Sequence, residues 1–102
     1  MMSFYNLTQK INQQVEEFLS ESCTQTTAKD LGIDERSCWT IWRCHDCVVI
    51  RRTDKNRFDY YAGGEYVDND CVNIMGDYVF YSADDERVAG WLGLYQEEHE
   101  DV

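Results

Sequence analysis

The chain of 102 residues contains no proline and no long hydrophobic run. Because a membrane-spanning helix needs at least about 18 apolar residues in succession, none is predicted. The N-terminal segment MMSFYNLTQK does not resemble a signal peptide, since polar residues between Asn6 and Lys10 interrupt any apolar stretch. We therefore expect a cytoplasmic protein, in a compartment that keeps thiols reduced. The cysteine count of 5 is odd, which also argues against a disulfide framework.

Basic residues are scarce as well. Only 9 lysines and arginines accompany 20 carboxylates, and the net charge is −11. The imbalance is uneven, because residues 36–58 hold six of the bases, whereas residues 59–102 hold twelve carboxylates and a single base, Arg87. A field this negative repels nucleic acid and attracts basic surfaces.

Aromatic residues, by contrast, make up 14% of the chain, which is typical of folded rather than disordered proteins. A chain of 102 residues has the size of one domain. The sequence therefore predicts a single folded domain over residues 1–102.

The first helix is predicted over residues 4–21. Its apolar residues recur at spacings of three and four, as in an amphipathic helix. They are Phe4, Leu7, Ile11, Val15 and Phe18. Because the stripe is one-sided, the helix is expected to lie on a sheet or on a partner. A short helical turn, Ala28–Leu31, would be capped by Thr26 or Thr27 and ended by Gly32.

β-Branched and aromatic residues then dominate, as they do in strands. The predicted strands are residues 38–43, 47–52, 57–61 and 76–82, with a hairpin turn at 53–56. In the last strand, Tyr78 and Phe80 would face one way, and Val79 and Tyr81 the other.

A capping box of Ser82 and Asp85 would begin a C-terminal helix. Its apolar stripe would consist of Val88, Trp91, Leu92 and Tyr95. The order of elements predicts an α+β fold with an N-terminal helix, an antiparallel sheet of three to five strands and a C-terminal helix. The helices are expected on one face of the sheet.

The segment WRCHDCVVIRR, residues 42–52, contains a CxxC pair with a histidine between the cysteines. A structural zinc site needs four nitrogen or sulfur ligands, usually as two close pairs. With one close pair, zinc stays an alternative, and its ligands would be Cys38, Cys44, His45 and Cys47. A redox role is disfavoured, because a thioredoxin-type CxxC opens a helix and this one precedes a strand pattern. We assign no cofactor and interpret the cysteines as reduced and structural.

No catalytic residues are predicted, and we expect a protein that is not an enzyme. The spacing of His45 and His99 does not require either to pair with a nucleophile. Residues 68–70 begin like a calcium loop, but Val79 stands where the loop would need its glutamate.

The basic strip, residues 36–58, includes Trp39, Trp42 and Phe58, which are the ingredients of a stacking platform for nucleic acid. The rest of the chain is acidic, however, and binding by counterion release needs a locally positive field. Direct nucleic-acid binding is therefore disfavoured. The arginines of the strip either pair with acids of the domain across strands or form a second contact surface.

The acidic C-terminal half is the predicted partner-binding surface. Tyrosines, which are frequent hot-spot residues in interfaces, alternate there with carboxylates. The predicted contact residues are Asp59, Tyr60, Tyr61, Glu65, Tyr66, Asp68, Asp70, Asp77, Asp84, Asp85 and Glu86. Such carboxylates would occupy a groove lined with lysine and arginine in place of DNA. The alternative is that they only keep the domain soluble.

The segment DYYAGGEYVDNDCVNIMGDYVFYSADDERV and the short, acidic, tyrosine-rich profile resemble the small acidic accessory proteins of phages and other mobile elements. Anti-restriction and anti-CRISPR proteins are among these. The resemblance, which is one of size and charge, implies a protein that binds a host defence complex and blocks its nucleic-acid path. The basic strip departs from a uniform DNA mimic.

Our leading hypothesis is a non-enzymatic protein whose acidic surface docks on a basic, nucleic-acid-handling partner, such as a bacterial defence nuclease or CRISPR effector, and inhibits it. The alternatives are a self-associating structural or regulatory module and the small zinc-binding domain described above. The oligomeric state is expected to be a monomer or a homodimer.

Overall fold

The computed structural model describes residues 4–33, 40–51, 61–62 and 65–94. The helices are α1 (Phe4–Ser22), α2 (Ala28–Leu31) and α3 (Glu86–Trp91), and a 3-10 turn covers Asn69–Cys71. The strands are β1 (Thr24–Thr26), β2 (Thr40–Arg43), β3 (Cys47–Arg51), β4 (Tyr61–Ala62), β5 (Glu65–Tyr66), β6 (Val72–Met75) and β7 (Tyr78–Ser82). The predicted α+β fold, with its N-terminal helix, antiparallel sheet and C-terminal helix, is confirmed.

Five of the strands form one antiparallel sheet in the order β1-β2-β3-β7-β6, and β4 pairs separately with β5. In the centre of the sheet Ile50 of β3 lies between Ile41 of β2 and Val79 of β7. The predicted strands 47–52 and 76–82 correspond to β3 and β7. The predicted turn 53–56 and most of the predicted strand 57–61 lie outside the described residues.

The sheet is covered on both faces. Successive side chains of a strand point to opposite faces, and Val48, Val49 and Ile50 of β3 are all buried. Val48 and Ile50 pack with α2 and α3 on one side, called the α3 face. Val49 packs with α1 on the other side, called the α1 face. The expectation of helices on one face is therefore wrong, because the central strand is apolar in both directions and needs cover on both.

Helix α1 buries a narrower line of residues than its sequence indicates. Val15 and Leu19 are buried and Ile11 is half-buried, so the contact line follows steps of four residues along the helix. Leu7 and Phe18, which belong to the predicted stripe, are 47% and 40% exposed. Leu7 lies on the same line one turn before Ile11, whereas Phe18 lies beside the line.

Both short helices are capped by side chains. The Thr27 hydroxyl accepts a 3.1 Å hydrogen bond from the Asp30 amide, and α2 ends at Gly32 in a left-handed conformation with φ 78°, as predicted. Helix α3 is capped by Asp85 rather than by Ser82. Asp85 Oδ1 accepts from the Arg87 amide at 2.8 Å, because a carboxylate one residue before the helix reaches its free N–H groups directly.

Among the described helices, none is long and apolar enough to cross a membrane.

Candidate functional site

Three chain segments meet at one end of the sheet. The β2–β3 turn is closed by a 2.9 Å hydrogen bond from the Cys44 amide to the Cys47 carbonyl, and the Ala83 amide beyond β7 donates to the Asp46 carbonyl at 3.0 Å. The loop before the 3-10 turn joins the same end, since the Asp68 amide donates to Asp85 Oδ2 at 3.1 Å. These hydrogen bonds bring together turns that are remote in sequence.

The turns carry a group of exposed carboxylates, which we call the acidic end. It consists of Asp46, Asp68, Asp70, Asp84 and Glu86. Asp68 Oδ1 accepts a 2.8 Å hydrogen bond from the Asp70 amide, which fixes the 3-10 turn between them. Four of the carboxylates are therefore presented on short, internally bonded turns, and Glu86 stands on the first turn of α3.

The electrostatics at Cys71 show that carboxylates from two of these segments, residues 68–70 and 84–85, converge on one thiol. Burial raises the pKa of the Cys71 thiol above its usual value, and four neighbouring carboxylates raise it further; they are Asp85, Asp68, Asp84 and Asp70. A thiol in such a negative field stays protonated, which is the opposite of an activated cysteine nucleophile.

Asp85 does not belong to the exposed surface that the sequence assigned to it. Its side chain is buried, with a residue exposure of 6%. It accepts from two backbone amides and forms a 3.2 Å ion pair with Arg87. Burial alone would raise the pKa of Asp85, but the hydrogen bonds from Asp68 and Arg87 and the Arg87 charge outweigh it and lower the pKa. Asp85 therefore holds the acidic end together.

Asp77 lies at the opposite end of the sheet, in the β6–β7 turn. Its carboxylate accepts a 2.8 Å hydrogen bond from the Asn12 side-chain amide, and its backbone amide donates to Asn12 Oδ1 at 2.8 Å. Gly76 precedes it with φ 63°, and a Cβ there would overlap the Asn12 amide oxygen. This turn docks α1 on the sheet, and its carboxylate is separate from the acidic end.

The remaining predicted contact residues are only partly within the described ranges. Asp59 and Tyr60 lie outside them, and so do the side chains of Tyr61 and Glu65. Tyr61 pairs with Tyr66 in the β4–β5 hairpin, and the Tyr66 side chain is exposed. Asp46 was missed, because it stands in the basic strip; the turn pattern CHDC was the available signal that it would be exposed.

The described arginines of the basic strip brace the fold. The Arg43 guanidinium donates a 2.6 Å hydrogen bond to the Leu92 carbonyl, at the end of α3. The Arg51 guanidinium lies 5.7 Å from the centre of the Tyr78 ring, in a cation–π contact. Arg36, Arg52, Lys55 and Arg57 lie outside the described residues.

The cysteines are arranged differently from the expectation of reduced thiols. Cys23 and Cys44 form a disulfide that spans 21 residues, with a Cα–Cα distance of 4.5 Å. Cys44, as a disulfide partner, is not available as a thiolate ligand, and Cys38 lies outside the described residues. In the described part of the chain, no group of three or more His, Cys, Asp or Glu side chains is placed to hold a metal ion. The zinc alternative is therefore not supported.

In comparisons with known proteins, no family model, curated protein or solved structure matches the chain. The geometry of the site is therefore interpreted without a relative.

Cys47, the second half of the CxxC pair, is a free cysteine. Burial raises the pKa of its thiol to about 11, and the Asp46 charge contributes in the same direction. Because the thiolate is the nucleophile in thiol chemistry, a thiol with this pKa is poorly reactive at neutral pH. What the site offers is therefore a surface: a set of exposed carboxylates on rigid turns.

Proposed function

We propose that this protein is a non-enzymatic binding protein whose acidic end docks on a basic surface of a nucleic-acid-handling partner. Its concrete form is an inhibitor of a bacterial defence nuclease or of a CRISPR effector. The observation that carries the proposal is the convergence of exposed carboxylates from three chain segments, Asp46, Asp68 with Asp70, and Asp84 with Glu86, at one end of the sheet.

The physical basis is charge complementarity. Duplex DNA presents one negative charge per ~1.7 Å of its axis, and proteins hold it with lysines and arginines. Carboxylates on rigid turns attract the same basic groups, which raises the association rate and makes it salt-dependent. The net charge of −11 adds a long-range field of the same sign.

A partner that handles nucleic acid in a bacterium would place the protein in the cytoplasm. Disulfides are rare in that compartment, because glutathione and thioredoxin keep thiols reduced. The Cys23–Cys44 bond would then be exposed to reduction in the cell, whereas the hydrogen bonds and the ion pair of Asp85 that hold the acidic end do not depend on it.

The test is capture of partners from a bacterial lysate on the immobilised full chain, with elution by rising salt and competition by duplex DNA. We expect a basic, nucleic-acid-binding protein that is retained at low salt and released by salt and by DNA. Recovery of no such protein at low salt would overturn the proposal.

A matched pair of variants locates the surface. Asp68→Asn with Asp84→Asn removes two carboxylates from the acidic end, and Glu17→Gln with Asp30→Asn removes two exposed carboxylates elsewhere. Retention is expected to fall roughly tenfold in the first variant and to change little in the second, since near charges dominate steering at physiological salt. Equal losses in both would show that bulk charge, and not the acidic end, governs binding.

A further inference from the structure

Strand β6 is an outer strand of the sheet. It pairs with β7 along one side, and no other strand in the described ranges pairs with it. An outer strand presents a row of backbone N–H and C=O groups that can template a further strand.

The β6–β7 turn shows which backbone groups of β6 point outward. Met75 and Tyr78 lie opposite each other across the two-residue turn Gly76–Asp77. A tight turn is closed by a hydrogen bond between its first and last residues, so this pair is a hydrogen-bonded one. Since bonded and non-bonded pairs alternate along an antiparallel ladder, the backbone N–H and C=O of Ile74 point away from β7.

β6 contains no charged residue, no proline and no bulge, which are three of the features that protect outer strands. Its sequence is VNIM, and its register with β7 is continuous from Val72 to Met75. The other outer strand, β1, is three residues long, polar, and adjacent to the disulfide at Cys23. Of the two edges, β6 is the one suited to accept another strand.

Exposed apolar side chains flank this edge on both faces. Ile74 is 38% exposed on the α3 face, and Met75 is 39% exposed on the α1 face. Also on the α1 face, Phe18 packs against Phe80 of β7, the cross-strand neighbour of Asn73, with ring centres 6.2 Å apart. An added strand would bury these side chains while it bonds to the backbone.

Charge favours a different protein over a second copy as the added strand. Asp70 precedes β6 and Asp77 follows it, and the strand between them is uncharged. In an antiparallel pairing of two copies through β6, the acidic flanks of the two strands, at Asp70 and at Asp77, would come close to each other, and like charges brought together in this way are destabilising. A segment with apolar residues in the middle and lysine or arginine at both ends would meet these carboxylates favourably.

We propose that an extended segment of the basic partner, apolar in its centre and basic at its ends, adds to the β6 edge as a further strand. The inference rests on the proposed function and specifies what the partner presents. Backbone hydrogen bonds to Ile74 would supply affinity, while Ile74, Met75 and Phe18 would select the apolar side chains of the segment.

The experiment uses the isotope-labelled full chain and a short synthetic peptide that has lysine and arginine at both ends and alternating valine and threonine between them. We expect the peptide to slow hydrogen exchange of the Ile74 amide by roughly tenfold or more, because that amide gains a partner. A peptide with glutamate at both ends should bind at least several-fold more weakly.

Two variants at one position provide the control. Ile74→Pro removes the outward N–H and leaves the β6–β7 ladder intact, since proline is tolerated where its nitrogen faces away from the sheet. It is expected to abolish peptide binding, whereas Ile74→Val, which keeps the N–H, should bind within a few-fold of the unchanged chain. Circular dichroism verifies that both variants fold.

Several outcomes would overturn the inference. One is the absence of protection at Ile74, and another is equal binding by Ile74→Pro. Equal binding of the acidic peptide would remove the charge argument. A dimer of the free chain that Ile74→Pro abolishes would identify a second copy as the occupant.

Failure of the proposed function can be distinguished from failure of the inference about β6. If no basic partner is captured from the lysate, the proposed function fails, and the peptide titration still reports on the edge. If Ile74→Pro captures the partner normally while Asp68→Asn with Asp84→Asn does not, the inference about β6 fails and the acidic end stands.

Discussion

The α3 face and the α1 face of the sheet are held in different ways. Among the described residues of the α3 face, 11 buried ones form one cluster, which extends from Ala28 to Leu92 and includes Val48, Ile50 and Val79. Among those of the α1 face, the buried cluster has 5 members: Val15, Leu19, Cys44, Val49 and Tyr78. Within the described part of the chain, the α3 face therefore buries many more apolar side chains than the α1 face.

The α1 face compensates with specific links. The Cys23–Cys44 disulfide connects the end of α1 to β2, and the Tyr78 hydroxyl donates to Glu16 Oε2 at 2.8 Å. Asn12 bonds both to the carboxylate and to the backbone of Asp77. We infer that burial holds α2 and α3, while covalent and polar links hold α1, so the two layers should respond differently to the same kind of change.

The largest effect is expected from the disulfide. Cys23→Ser should lower the free energy of unfolding by about 3 kcal/mol, because a cross-link over a loop of this size restricts the unfolded chain. Urea denaturation measures the loss. Hydrogen exchange should also become faster in α1 and not in α3, which would show that the bond serves the α1 face.

Cys47→Ser is the matched control, since Cys47 is a free, half-buried cysteine of the same cluster. It should cost less than about 1 kcal/mol. If Cys23→Ser and Cys47→Ser were equally destabilising, the covalent link would contribute nothing beyond ordinary packing.

Val48 and Val49 compare the two faces directly, because they are adjacent, identical in type and both fully buried. Val48→Ala should cost about 2.5 kcal/mol, since the dense cluster around it cannot collapse into the cavity. Val49→Ala should cost about 1.5 kcal/mol, because the smaller buried cluster on the α1 face gives Val49 fewer apolar partners to lose. Thermal or urea unfolding of the two variants tests the order, and a larger loss for Val49→Ala would contradict the comparison.

Local patterns in the sequence were enough for the elements that depend on neighbouring residues. The cap at Thr27 and the stop at Gly32 are such cases, as is the alternation of Tyr78 and Val79 along β7. Each depends on a few neighbouring residues. The cap depends on the Thr27 hydroxyl, the end of α2 on the left-handed conformation that glycine adopts readily, and the alternation on the pleat of the strand.

The candidate site was less predictable, because its geometry is made by contacts across the chain. Asp84 and Asp85 are adjacent acids, and Asp85 caps α3 through the nearby Arg87 amide, but its second hydrogen bond comes from the Asp68 amide, 17 residues away in the chain. Likewise, the pairing of Cys23 with Cys44 depends on where α1 ends relative to β2. Neither the burial of Asp85 nor the pairing of Cys23 with Cys44 can be predicted from residue spacing along the chain.

Asp84 and Asp85 allow an exposed carboxylate to be compared with a buried one. Asp85→Ala should lower the free energy of unfolding by about 2 kcal/mol, because α3 loses its cap and the Asp68 amide loses its acceptor. Asp84→Ala, at an exposed position, should change it by less than about 0.5 kcal/mol. Urea denaturation of both variants measures the difference.

The contribution of Asp85 should also depend on pH. Because the pKa of Asp85 is lowered in the folded state, its stabilising effect is present above the usual carboxyl pKa and is lost as the pH falls through the folded value. The gap in stability between Asp85→Asn and the unchanged chain should therefore narrow in acid. A gap that is constant from neutral to acidic pH would mean that the charge of Asp85 does not support the α3 face.

The smallest expected effect concerns the polar link at Tyr78. Tyr78→Phe keeps the ring and removes the hydrogen bond to Glu16, so it should cost about 1 kcal/mol. Burial, followed by the Glu16 hydrogen bond and charge, raises the pKa of Tyr78 from 10.0 to about 12. The neutral phenol is favoured by folding, so this stabilisation is complete below pH 10 and is lost as the pH rises towards 12.

Ionisation of Cys47 also destabilises the folded protein in an overlapping alkaline range, since burial raises the pKa of its thiol to about 11. The titration is therefore best followed in the Cys47→Ser background, by phenolate absorbance and by unfolding at each pH. Because the chain has 7 tyrosines, the Tyr78 phenolate is read as the difference in absorbance between this background and the same background with Tyr78→Phe. A difference that titrates at the ordinary tyrosine pKa would mean that Glu16 and burial do not hold Tyr78 neutral. In that case α1 would be fixed by the disulfide and by the hydrogen bonds of Asn12, without a contribution from the Tyr78–Glu16 hydrogen bond. Reduction of the disulfide would then loosen the helix more than it would if the Tyr78–Glu16 hydrogen bond also held it.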